Sequence, residues 1–190
     1  MSGTSALVPS PRVRPALLLL VGAPEDPAPA TDGPLVEPEA TLGAALELAR
    51  ATLGVGRVLL FSPPEAEATL TAKALGFRLW PADGDSEGAR WANAFRQSGE
   101  LGYDGAVVLR LDAAGLPPER LTEVVEQLAS SAAVVLPDAD GGIAVLGLQR
   151  HEPTLLPPSA EVPDVETLRT RARQLRIALL ELEAHVPVAP

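Results

Sequence analysis

AAVVLPDADGGIAVLGL, residues Ala132–Leu148, decides the fold. Two aliphatic runs, Ala132–Leu136 and Gly142–Leu148, flank the turn segment Asp138-Ala139-Asp140-Gly141-Gly142. Short apolar runs bounded by turn residues read as strands. A link this short cannot carry the chain back for parallel pairing, so the two runs must be antiparallel neighbours. Asp followed by Gly-Gly suits such a turn, because glycine adopts positive φ at little steric cost.

The rest of the chain has a different rhythm. Apolar runs at Ala16–Val21 (ALLLLV), Arg57–Phe61 (RVLLF), Phe77–Trp80 and Gly105–Leu111 (GAVVLRL) read as strands, and Ile177–Leu182 reads as a last one. Helices are expected between them. One runs from a Thr41 cap to Leu53 with Leu42, Leu46 and Leu53 inward. The next opens at Ser62 and its prolines and closes at Gly76, and a third covers Ala89–Gln97. A fourth follows Pro117 and Pro118 and sets Leu121, Val124, Val125 and Leu128 on one face, and a fifth covers Val165–Leu175. Strands alternating with helices predict a three-layer α/β fold: a mostly parallel sheet, helices on both faces, and one antiparallel hairpin strand.

The expected organisation is one domain over residues 16–186. A polar, proline-rich leader over 1–15 precedes it, and a tail over 187–190 follows. The segment Gly22–Glu39, interrupted by Pro24, Pro27, Pro29, Pro34 and Pro38, reads as a long loop.

Composition narrows the function. Hydrophobic residues make up 46% but aromatic ones only 3%, so the core must be aliphatic. The formal charge is −10 with no basic run, which argues against nucleic acid and anionic membranes as partners. The absence of cysteine excludes disulfides, thiolate nucleophiles and cysteine-held metals. The run Ala16–Val21 is far too short for a membrane span, and the chain reads as soluble and cytoplasmic.

In open α/β sheets, ligands bind beyond the carboxyl ends of the strands. Three polar stretches are expected there: the loop after Val21, Asp112 at the end of its strand, and the turn 138–142. Asp112 can hold a hard cation or simply accept hydrogen bonds that order its own turn. Asp138 and Asp140 suit a turn as readily as a site. His151 and His185 lack a second ligand at metal spacing, and Ser159 lacks triad partners.

Three stretches occur together in order: GDSEGARWANAF (Gly84–Phe95), VVLRLDAAGLPPERL (Val107–Leu121) and VVLPDADGGIAVLGL (Val134–Leu148). This combination resembles a bacterial family of glycosyltransferase-A-like proteins of largely unassigned function. That family is related in fold to nucleotide-diphospho-sugar transferases and to nucleotidyltransferases.

The resemblance implies that Asp112 holds a divalent ion, magnesium or manganese, facing the diphosphate of a nucleotide sugar. It implies that Asp140 orients or deprotonates an acceptor, and that Arg90, Gly141 and Gly142 contact substrate. The matched pattern is not intact. Where the family has Gly-Ser before the aspartate, this chain has Arg110-Leu111. Where the family's first loop carries Lys and Arg, residues 22–49 hold Glu25, Asp26, Asp32, Glu37, Glu39 and Glu47 and no base. Such a loop repels a diphosphate unless metal ions intervene.

The leading expectation is therefore a glycosyltransferase-like protein that binds a nucleotide-diphosphate sugar with metal help. The alternatives are a catalytically inactive binding or assembly module and, further off, a nucleotidyltransferase.

Overall fold

A computed structural model of the chain describes residues 14–21, 38–113, 115–159 and 161–184. The proposed leader (save residues 14 and 15), most of the acidic first loop, His185 and the tail lie outside the described residues.

Among the described residues seven strands form one sheet: β1 (Ala16–Val21), β2 (Gly56–Phe61), β3 (Arg78–Pro81), β4 (Ala106–Leu109), β5 (Ala133–Pro137), β6 (Ile143–Leu148) and β7 (Leu179–Glu181). Their order is β3-β2-β1-β4-β6-β5-β7. Strand β6 runs antiparallel to both β4 and β5, and every other pairing is parallel. The turn at 138–142 thus forces the reversal, and the reversed strand is inserted between β4 and β5 rather than added at an edge. One consequence positions the site. The carboxyl ends of β1, β4 and β5 share one edge of the sheet, and the β5–β6 turn rises from that same edge.

Successive side chains of a strand point to opposite faces. Along β1, Leu18 joins one fully buried cluster, and Leu17 and Leu19 join the other. The first cluster is closed by Trp91 and Phe95 of α3 (Glu87–Glu100) and by Val165 and Leu168 of α5 (Val165–Leu175). The second is closed by Leu46 of α1 (Pro38–Ala51), Leu70 of α2 (Glu67–Lys73), and Leu121, Val124 and Leu128 of α4 (Pro118–Leu128). This is the three-layer α/β/α arrangement.

Helix boundaries differ from the sequence reading in physical ways. Helix α1 starts at Pro38, because proline is tolerated in a first turn where its missing N–H costs nothing. It ends at Ala51, so Leu53 lies beyond it and is 78% exposed, not inward. Thr52 is buried in its place, its hydroxyl donating to the Leu48 carbonyl at 3.0 Å. Helix α3 begins at Glu87, where the Ser86 hydroxyl accepts the Ala89 N–H.

Candidate functional site

Strand β4 delivers its last apolar residue, Leu109, into the core and then releases Arg110 at the edge of the sheet. The Arg110 N–H still pairs with the Ala144 carbonyl of β6 at 3.1 Å, which fixes where its side chain begins. A short 3₁₀ turn over Leu111–Ala113 follows and carries Asp112. Two strands away, β5 ends at Pro137 and the turn begins at Asp138.

The Arg110 guanidinium joins these two turns. Its Nε donates to Asp112 Oδ1 at 2.5 Å, and its Nη2 donates to Asp138 Oδ2 at 2.8 Å. Asp112 and the hairpin turn therefore open onto the same region, as the sequence reading requires.

The two carboxylates differ in role. Asp138 is four-fifths covered, with 20% of its side chain exposed. Its Oδ1 accepts the Gly142 N–H at 2.7 Å and the Asp140 N–H at 3.0 Å, so one carboxylate organises the whole turn. Partial burial works to raise its pKa, but the hydrogen bonds from Arg110 and Gly142 outweigh that and hold the group below the ordinary carboxylate range. Burial likewise works to lower the pKa of Arg110, and its pairing with Asp112 and Asp138 prevails and raises it. Asp112 is 65% exposed on the side chain, and its recorded partner is Arg110.

The glycines of the turn have backbone duties. Gly141 sits at φ +84°, the left-handed region that glycine favours, and its carbonyl accepts the Val165 N–H of α5 at 3.3 Å. A Cβ on Gly142 would lie 2.5 Å from Asp138 Oδ2 and 3.1 Å from Arg110 Nη1. Gly142 is thus the space into which the ion pair fits. Asp140 projects from the exposed tip of the turn, and its carboxylate has no partner among the described residues.

The turn separates two cavities. One, of about 220 Å³, is lined by Arg110, Asp112, Leu116, Asp138 and Asp140. The other, of about 640 Å³, lies against α5 and β7 and is lined by Asp138, Asp140, Asp164, Glu166, Arg169 and Glu181. Arg169 is engaged with Glu181 at 2.8 Å. Arg90 lies half-buried in the first turn of α3 rather than ahead of it, and it lines neither cavity.

The donor set does not fit a divalent ion as placed. Both oxygens of Asp138 and one of Asp112 already receive donors, and a guanidinium stands between the two carboxylates. Among the described residues no three His, Cys, Asp or Glu side chains converge to hold an ion.

Sequence reasoning missed the importance of Arg110. The signal was an arginine two residues ahead of the aspartate at a strand's end, close enough in sequence for the two opposite charges to meet once the chain turns. Among the described residues no helix is long and apolar enough to cross a membrane.

Residues 45–158, more than half of the chain, match the family model described as "Uncharacterized protein conserved in bacteria (DUF2064)". None of the curated proteins matches the sequence. Solved structures share the fold at low identity. A nucleotide-diphospho-sugar transferase candidate from Desulfovibrio desulfuricans G20 superposes with a TM-score of 0.70 at 20% identity, over 89% of this chain and 79% of that one. A 4-diphosphocytidyl-2C-methyl-D-erythritol synthase is similar at a TM-score of 0.63 and 17% identity, over 93% and 91%. Rv0371c of Mycobacterium tuberculosis H37Rv, solved in complex with manganese, is similar at 0.56 and 17%, again over 93% and 91%. The nucleotide-diphospho-sugar transferase fold is thereby shown, with neighbours that include both sugar-nucleotide and nucleotidyl transferases.

Proposed function

We propose, for a chain that belongs to the bacterial family DUF2064, that it binds the sugar end of a nucleotide-diphosphate sugar at the edge of the sheet where β4 and β5 end, with the diphosphate left toward solvent, as a binding module that does not transfer the sugar. The observation that carries this reading is the double pairing of Arg110 with Asp112 and Asp138. Transfer of a sugar from a diphosphate needs positive charge on the departing diphosphate. Here the cavity beside the turn holds one guanidinium against Asp112, Asp138 and Asp140. The guanidinium is spent on two of those carboxylates, so the balance of charge at the mouth is negative. Carboxylates in such a setting accept hydrogen bonds from sugar hydroxyls more readily than they tolerate phosphate oxygens.

Asp140 is the residue we assign to that hydroxyl contact; the Gly141 and Gly142 backbone lines the cavity on the α5 side of the turn instead. Asp112 serves as a second acceptor rather than a metal ligand. The same charge balance weighs more heavily against a nucleotidyltransferase, whose triphosphate substrate carries more negative charge. A cytoplasmic setting, where nucleotide sugars are made, accords with this reading.

The test is a thermal-shift series with nucleotide sugars, each with and without manganese, run beside an assay for nucleoside diphosphate release. The expected result is a modest rise in Tm with at least one nucleotide sugar, unchanged by manganese, and no release. Release of nucleoside diphosphate that depends on manganese and is lost in Asp112→Ala would instead establish the metal-assisted transferase, with Asp140 as acceptor base.

A further inference from the structure

We infer that Arg110 is a resident cation that occupies the place of a divalent metal, and that replacing it with a neutral residue uncovers a metal site built from Asp112 and Asp138. The inference deepens the proposal above and rests on its assignment of this edge of the sheet as the site.

Two carboxylates brought to one point repel each other, and both stay ionised there only if a positive charge stands between them. Nature can supply that charge from solution, as a metal, or from the chain, as a guanidinium. In this protein the chain supplies it. The guanidinium presents Nε and Nη2 along one edge, and each takes a different carboxylate, one from each turn. A planar fork with donors at fixed spacing is suited to this task, whereas a lysine offers a single point of charge.

Three features show that the pairing is built in rather than incidental. Arg110 is anchored at the end of β4 by its backbone bond to Ala144, so its side chain starts at the site. Only 31% of that side chain is exposed. The place where Gly142 lacks a Cβ is filled by Asp138 Oδ2 and Arg110 Nη1, so the hairpin is shaped around the ion pair.

A divalent ion entering from solution would have to displace the guanidinium from both carboxylates and leave it half-buried without a partner. That is a large penalty for a hard cation whose own ligands would be few.

The experiment measures manganese itself, through its paramagnetic resonance signal, in titrations of the full chain. The wild-type protein is expected to leave the free-ion signal intact at millimolar manganese. Arg110→Gly and Arg110→Ser are expected to take up one manganese ion per chain, and Arg110→Ser combined with Asp138→Asn to lose it. Circular dichroism establishes that each variant is folded. If both small replacements unfold, Arg110→Gln, which keeps the bulk and discards the charge, takes their place with the same expectation.

Uptake of manganese by the wild-type chain that disappears in Asp112→Asn would overturn the inference, since the metal would then coexist with Arg110. Folded Arg110 variants that bind no more manganese than wild type would overturn it as well. These readouts involve no nucleotide sugar, so they fail independently of the proposed function, which fails if no nucleotide sugar shifts the wild-type Tm.

Discussion

Asp112 and Asp138 share one guanidinium and differ in almost everything else. Asp112 closes a strand in the motif that drew functional attention, yet it is mostly exposed and its recorded partner is Arg110. Asp138 opened what reads in sequence as an ordinary hairpin, yet it is mostly covered and receives Arg110, Gly142 and Asp140. A carboxylate's importance to a fold follows the number of donors it satisfies and the water it has given up, not its place in a motif. The residue resembling a metal ligand is the freer of the two, and the one resembling a turn former carries the turn.

The largest expected effect tests this directly. Asp138→Ala strips three donors of their acceptor and leaves a half-buried guanidinium with one partner, which should cost about 2 to 3 kcal/mol of unfolding free energy. Urea denaturation followed by circular dichroism measures it, and a loss no larger than that of Asp112→Ala would end the contrast between the two. Gly142→Ala comes next. Its new Cβ would fall 2.5 Å from Asp138 Oδ2, and a carboxylate held at both oxygens has little room to retreat. About 1 to 3 kcal/mol is expected from such overpacking. Arg110→Ala in the same background should remove part of that penalty, because it frees one side of the crowded space.

Acid should expose the same difference. The folded-state pKa of Asp138 lies below its unfolded value, so its contribution is fully present above the unfolded pKa and is lost as the pH falls through the folded one. Stability of the wild-type chain should therefore decline at pH values below the ordinary carboxylate range, and Asp138→Asn should show a shallower decline over that window. Melting temperatures measured across acidic buffers give both slopes. Equal slopes would mean that other carboxylates dominate acid sensitivity.

The architecture was legible because it rests on periodicity and on one short connection. The aliphatic runs of β1, β2 and β5 and the single-face pattern of α4 could form little else, and the five-residue turn at 138–142 left β6 only one direction. Strand order was not legible, because inserting β6 between β4 and β5 depends on which edges meet in space. Leu53 misled for a local reason: α1 ends at Ala51, and a periodic pattern carries no information about where a helix stops. In the candidate site, the expectation that Asp112 and the 138–142 turn share one edge of the sheet holds in the structure. What it could not convey was the fate of Asp112, since that depends on a contact from Arg110, a residue the resembled pattern lacks. The acidic segment after Val21 enters the argument only as charge, because most of it lies outside the described residues.

The smallest expected effect is the sharpest test of the comparison. Asp112→Ala removes one ion pair whose acidic member is 65% exposed, and water and salt replace most of what is lost. Such pairs are worth about 0 to 1 kcal/mol, and a shift in that range is expected here. The fold survives because Arg110 keeps Asp138, and Asp138 keeps the turn through Gly142 and Asp140. Raising the salt concentration should shrink the difference between wild type and Asp112→Ala further, while leaving most of the Asp138→Ala loss in place, because covered pairs are screened less than exposed ones. Paired denaturation curves at low and high salt measure this. Should Asp112→Ala prove as costly as Asp138→Ala and as indifferent to salt, Asp112 would be a second keystone of the turn, and no freedom would remain in it for a ligand.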